Sequence, residues 1–447
     1  MTGVETPRTP GVRHAPDEVA HIPRLWSGDV LVVGGGSAGC AAAVTAGRLG
    51  ARTLLIESGG FLGGTGARVL DTFYGFYAPG QDGKRVVGGV GWEVCERLTA
   101  AGMAFERPNT YGAGTGVTYE PEALKVVWDD LVTTSGADLL LYGLLTGVID
   151  DGGRAVGAVV ETRAGPRVVD ASVVVDATGD GEVAWRAAAA LERPAEERAA
   201  QPCTATFRLG GVADQPAPTA ELHRLMAEAK RDGTYDLPRV EGSSHVTCLP
   251  GVRHTNLTRV VGYDTTDPWE LTAAELEGRR QVQEYARFLA EQVPGYEDAY
   301  LIQVSTRLGI RESRRLVGVH VLDRDDVLAA RDFDDAIARC GAPIEDHAAG
   351  EATRWEYVGG GSEPTGRTYG IPYRCLLPRE VDGLLVAGRC LSASHDAHAS
   401  VRSMGQCMAM GQAAGAAAVL AVDAGSAPRD VDVERLRSSL TDQGALL

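Results

Sequence analysis

At 447 residues the chain can build more than one hydrophobic core, and its 44% apolar and 23% charged residues are ordinary for a folded globular protein. A formal net charge of −17, with no basic run, argues against a protein that wraps nucleic acid or another polyanion. The eight cysteines form no CxxC pair and no metal-ligand spacing, so free thiols in a reducing cytoplasm are expected, and no metal site.

Residues 1–26 are polar, lack an apolar h-region and read as a lead-in to the first strand. No membrane span is expected, because the longest apolar run, near Ala413 to Val422, is short and alanine-rich. The stretch that follows the lead-in organises the chain. A β-branched apolar run from Asp29 ends in Gly34-Gly35-Gly36-Ser37-Ala38-Gly39, an alanine-rich helix follows, and a second strand, Thr53 to Glu57, ends in an acid 18 residues after Gly39. That is a βαβ unit with the GxGxxG pattern of a dinucleotide site. Gly34 permits the tight turn, Gly36 lets backbone approach a pyrophosphate, and Gly39 lets helix and strand pack closely. The phosphates would sit at the helix N-terminus, and Glu57 would accept the two ribose hydroxyls; a 2′-phosphate would meet a like charge, so FAD or NAD suits the site better than NADP.

A second glycine loop, Ser58 to Gly66, either runs along a flavin or is a surface loop. Tyr74, Tyr77, Tyr111 and Tyr119 line a pocket or simply pack. A helix is expected from about Pro121 to Thr134, then strand-like Leu139 to Tyr142 and two β segments, Ala155 to Thr162 and Val168 to Val175, as a meander returning to the sheet. It ends in Asp176-Ala177-Thr178-Gly179-Asp180, which brings backbone close to a ligand or makes a tight turn.

From Gln201 the composition changes, and a second domain inserted into the first is expected: residues 27–200 and 376–447 for cofactor binding, 201–375 as a substrate cap. Its long helix is expected to begin at the capping box Thr272 to Glu275. Four arginines between Arg307 and Arg315 either bind a substrate anion or pair with acids such as Glu312. Near the end, Leu384 to Arg389 reads as a strand, Ser392 to Arg402 as a polar loop, and Ser403 to Val422 as a deeply buried helix whose N-terminus needs an acceptor.

Four segments, Gly34 to Glu57, Asp176 to Gly181, Leu308 to Val317 and Leu384 to Ala417, together resemble the FAD-dependent oxidoreductases of the glutathione-reductase-like superfamily, related to the fumarate reductase flavoproteins. The resemblance implies an α/β fold: a Rossmann-like FAD-binding domain with a β-meander plus an inserted α+β substrate domain. It implies that Gly34, Gly36, Ser37, Ala38 and Gly39 hold the pyrophosphate, that Glu57 holds the adenosine ribose and that Ser58 belongs to the cofactor site. Gly63, Gly64 and Thr65 would follow the ribityl chain, while Ala177, Thr178, Gly179 and Asp180 close the adenine and pyrophosphate side. Gly388, Arg389, Arg402, Ser403, Met404, Gly405 and Gln406 would meet the flavin end. Many relatives resemble Val-Met-Pro-Thr where this chain has Ser403 to Gln406, so that contact is expected to differ. Relatives with covalent FAD use a histidine near the first loops; none lies between Ser27 and Ala200, so non-covalent FAD is expected.

The expected chemistry is two-electron hydride oxidation of a small, anionic organic substrate at flavin N5. The alternatives are a flavin-dependent reductase of an activated double bond and a FAD-binding electron-transfer subunit acting with a partner protein. His395 or His398 is the first choice for acid or base, or orders its loop instead; His254, Arg311, Arg402 and Tyr373 are the other catalytic candidates. The electron partner, whether oxygen, NAD(P)H or a protein, stays open, as does a homo-oligomer.

Overall fold

The computed structural model describes residues 12–80, 83–109, 112–194, 200–347 and 353–447; Tyr111 lies outside them. Strand Arg24–Val33 buries each of its last four residues, Val30 to Val33, as a central parallel strand must. It pairs in parallel with Thr53–Glu57 on one side, Val30 opposite Thr53, and with Gly165–Asp176 on the other, Val30 opposite Val173. Leu384–Val386 and Asp138–Leu141 are also parallel to their neighbours, and Leu144–Asp150, Ala155–Thr162 and Gly165–Asp176 form the antiparallel meander. The carboxyl ends Val33, Glu57, Asp176 and Val386 therefore lie along one edge of the sheet. In open parallel sheets that edge is where ligands sit.

Two helices pack against each other beneath this edge. Ser37–Arg48 is alanine-rich and almost wholly buried, and Met404–Ala424 crosses it. By length and composition Met404–Ala424 could span a membrane, but here it is the central helix of the core. The approach depends on two glycines: a Cβ on Gly411 would lie 2.0 Å from the Ala38 carbonyl oxygen, and one on Gly415 2.4 Å from that of Ala42.

A second unit has its own sheet, ordered Ser243–Val246, Arg253–Asn256, Phe207–Gly210, Tyr300–Val304 and antiparallel throughout. Phe207 and Leu209 share a core with Met226, Val282, Tyr285 and Phe288 from the helices Thr219–Arg231 and Pro268–Gln292. The long helix starts four residues before the expected capping box, because Asp267 accepts from the Trp269 and Glu270 N–H groups and Pro268 fits the first helical position. This second core draws on Cys203 to Leu308, whereas buried side chains from Leu322 to Leu377 pack into the first. The result is an α/β fold, a Rossmann-like domain with its meander and an α+β second unit.

Candidate active site and cofactor cradle

One cavity of about 670 Å3 runs from the first glycine loop, past the carboxyl ends of the parallel strands, to the second unit. At the first loop Gly34 has φ +102°, which favours glycine, and a Cβ there would also meet the Ala177 oxygen at 2.6 Å. Gly39 does not face the cavity; a Cβ on it would sit 1.8 Å from the Gly34 oxygen, so it serves close packing of helix on turn.

Gly36 is different. Its φ of −82° suits any residue, and a Cβ on it would meet nothing closer than the Gly64 Cα at 3.8 Å. Neither strain nor packing excludes a side chain there. Gly36 lines the cavity and caps Ser37–Arg48 without any side-chain hydrogen bond. The space it leaves clear lies at a helix N-terminus, where N–H donors and the dipole favour a phosphate.

Glu57 closes the next part. Its Oε2 accepts from the Gly35 N–H at 2.9 Å; its Oε1 accepts from the Gly59 N–H and from Arg68 Nη2, each at 2.6 Å. Burial by itself would raise this carboxyl, but Arg68 and the two N–H groups hold it below the usual range, so it stays an acceptor. Gly63 carries φ +105° and donates its N–H to the Gly35 oxygen, tying the second glycine loop to the first. Ser58, Gly64 and Thr65 line the cavity, as do Ala177, Thr178, Gly179 and Asp180.

Opposite them, Arg389 donates to Asp180 Oδ1 at 2.8 Å and to Ser313 Oγ at 3.1 Å, and Ser313 donates to Asp180 at 2.6 Å. This triangle fixes the loops that follow Asp176 and Val386. Gly388, Ser403 and Met404 complete the wall, with the uncapped N-terminus of Met404–Ala424 at its edge. Gly405 and Gln406 lie behind it: the Gly405 N–H donates to the Tyr74 oxygen and Gln406 Nε2 to the Gly75 oxygen at 2.7 Å. Gln406 thus anchors the neighbouring loop.

The catalytic candidates separate into two groups. Arg311 and Arg402 line the cavity; Arg311 donates to the Pro202 oxygen and Arg402 to Gln201 Oε1 at 2.8 Å. Burial first, then Arg402 and Arg239, push Arg311 down to about 9. Among the described residues no carboxylate oxygen lies within 4.0 Å of either guanidinium. The other arginines of that cluster behave otherwise: Arg315 pairs with Glu312 and Glu192, Arg314 with Glu182, and Arg307 is exposed.

The remaining candidates sit behind the cavity wall. His395 begins the short helix His395–Val401 and turns onto Glu312, 2.9 Å from Nδ1. His398 Nε2 lies 2.7 Å from the Arg389 oxygen, and Tyr373 donates to the Pro428 oxygen at 2.7 Å. His254 stands between the two units, 3.6 Å from Asp71, beside His245, which lies 2.9 Å from the same carboxylate. Burial drives His254 down to about 4, against the pull of Asp71.

In their place the cavity gathers residues that sequence reasoning passed over. Arg239 and Asn256 from the second unit and Glu345 and His347 from the strand Ile344–Asp346 and its end line it, together with Tyr74. The only signal was a two-residue alternation in Ile344–Asp346, which points Glu345 away from its neighbours.

The FAD-dependent oxidoreductase family model matches residues 29–440, nearly the whole chain. The chain belongs to that family. Its cofactor is FAD, and the Gly36 clearing and the ionised Glu57 fit the pyrophosphate and ribose of such a dinucleotide. No curated protein matches the sequence. Solved structures similar to this member of the family include a geranylgeranyl bacteriochlorophyll reductase-like protein from Thermoplasma acidophilum, at 15% identity and TM-score 0.45, covering 94% of this chain and 84% of that one. The flavin-dependent brominase Bmp2 is similar at 13% identity and TM-score 0.45, covering 93% and 83%. The p-nitrophenol 4-monooxygenase PnpA from Pseudomonas putida DLL-E4 is similar at 12% identity and TM-score 0.45, covering 94% and 85%. These values are too low to carry chemistry from one chain to another.

Proposed function

We propose that this FAD-dependent oxidoreductase carries out the two-electron oxidation of a small anionic organic substrate, with FAD held non-covalently. The observation that supports this is the pair Arg311 and Arg402, two guanidinium groups lining the same cavity with no carboxylate oxygen within 4.0 Å among the described residues, so that Glu345 and Glu312 offset their charge only at longer range. Placing like charges together in a partly desolvated site is costly, and an anion offsets that cost. When bound, FAD supplies the two-electron chemistry. The chain supplies the rest. Arg311 and Arg402 hold the anionic group, and Leu308 and Met404 add apolar surface to the same cavity.

The test is anaerobic bleaching of the yellow protein by a panel of small carboxylates and phosphate esters, each paired with its neutral ester or alcohol. Bleaching by anionic members alone is expected. Bleaching by the neutral partners at equal rates would contradict the assignment.

A further inference from the structure

Glu345 shares the cavity with Arg311 and Arg402 but pairs with neither, its carboxylate oxygens lying more than 4.0 Å from their nitrogens. The short strand Ile344–Asp346 sets its direction. Ile344 is buried in the first core and Asp346 turns onto Arg354 at 3.0 Å, so the two-residue alternation sends the Glu345 side chain the other way, into the cavity. There it is 34% exposed and accepts no hydrogen bond among the described residues; His347 Nε2 stands 3.1 Å away, out of hydrogen-bond alignment.

The cavity thus carries two cations and one anion that do not satisfy one another. Arg239, a third arginine lining it, already has a carboxylate, Glu241, at 3.5 Å. Against its burial, His347, Arg402 and Arg311 hold Glu345 at about 2, so it is ionised at neutral pH, while burial takes His347 down to about 4 and leaves it neutral. With Arg311 and Arg402 on one side of the count and Glu345 on the other, the site is net positive.

A simple carboxylate answers only part of this arrangement. Bound at the two arginines it offsets their charge, but it brings a like charge toward Glu345 and leaves that carboxylate without a donor in a partly desolvated site. A protonated amine on the carbon beside the carboxylate answers the rest, with a positive charge and three N–H donors. Such a ligand bridges a gap too wide for a direct ion pair, because its own length adds to a charge-assisted hydrogen bond of about 2.8 Å at each end.

We propose that the substrate is a small aminodicarboxylate, with a carboxylate on Arg311 and Arg402 and its ammonium group donating to Glu345. The inference rests on the anionic-substrate reading above and names the class of that anion. Two carboxylates and one ammonium give the ligand the net negative charge that a net positive site selects. Glu345 is then the residue that separates an amino acid from its hydroxy and unsubstituted counterparts.

Calorimetric titration of the FAD-loaded protein at neutral pH with succinate, malate and aspartate tests this. The three share one dicarboxylate skeleton and carry a hydrogen, a hydroxyl or an ammonium group at the same carbon; both enantiomers of malate and aspartate are used. One enantiomer of aspartate is expected to bind at least about tenfold more tightly than succinate and malate, the effect of one charge-assisted hydrogen bond. Glu345→Gln is expected to lose that preference while still binding succinate. If Glu345→Gln loses its flavin, malate decides in the wild type, since it matches aspartate in size and polarity but not in charge. Aspartate binding no tighter than succinate or malate, or a preference kept in flavin-loaded Glu345→Gln, overturns the amine assignment and leaves the arginine site standing. Failure of all three to bind overturns the arginine site, and this assignment with it.

Discussion

Arg402 helps to hold the Arg311 guanidinium down to about 9, and no carboxylate among the described residues lies within 4.0 Å of either one. Most other arginines of this acidic chain find a carboxylate within 4.0 Å; these two meet Glu345 only at longer range, on the wall of the cofactor cavity. Replacing either by glutamine removes a charge-assisted contact to an anion, worth about 1.5 to 3 kcal/mol. Succinate binding to the FAD-loaded protein is expected to weaken about tenfold to a hundredfold in Arg311→Gln and in Arg402→Gln, with flavin content unchanged in Arg311→Gln; equilibrium titration measures both.

Gly36→Ala is expected to fold with wild-type thermal stability when free of flavin and to lose most of its affinity for FAD. A methyl there meets no protein atom closer than 3.8 Å, yet it occupies the clearing at the helix N-terminus. Flavin fluorescence titration of the apoprotein separates this outcome from simple misfolding.

Gly411→Ala is expected to do the reverse. Its Cβ would lie 2.0 Å from the Ala38 carbonyl oxygen, so the two core helices must separate, at a cost of about 2 kcal/mol or more. Thermal denaturation should show the loss with and without flavin.

Acid should weaken the fold between about pH 6.5 and pH 4 before the carboxylates respond. His254 and His347 are pushed by burial from their ordinary 6.5 to about 4, and burial also lowers His398 well below its usual range. A depressed histidine is neutral in the folded state while its unfolded form takes a proton, so stability is full above pH 6.5 and falls as pH drops toward 4. Glu312, brought down to about 2 against its burial by His395, His398 and Arg315, adds a second loss only below about pH 4.5. Chemical denaturation across this range should show the earlier loss shrink in His254→Gln.

What could be read from the sequence and what could not divides along a physical line. Gly34, Gly39 and Glu57 are legible because a tight turn, a close backbone approach or a strand-end acid is a local requirement, and few residue types meet it. The Rossmann-like core follows from such requirements repeated in order. Arg239 and His347 carry no local signature and Glu345 only the alternation of its short strand; they meet because Ile344–Asp346 and the loop after Thr219–Arg231 approach the same cavity. His395 and His398 stand in the segment beside the cofactor edge, but its last residues form a helix whose turn aims them at Glu312 and the Arg389 oxygen. Proximity in sequence to a glycine loop does not say which way a helix rotates its side chains.

The most direct test of an anionic-substrate site beside the cofactor is the visible absorption of the purified yellow protein during titration with succinate, at constant pH and ionic strength. A saturable change in the flavin bands is expected, absent or displaced at least about tenfold in Arg311→Gln. A spectrum that succinate, phosphate and other small anions leave unchanged, or one that responds in Arg311→Gln and Arg402→Gln as it does in the wild type, would contradict the account.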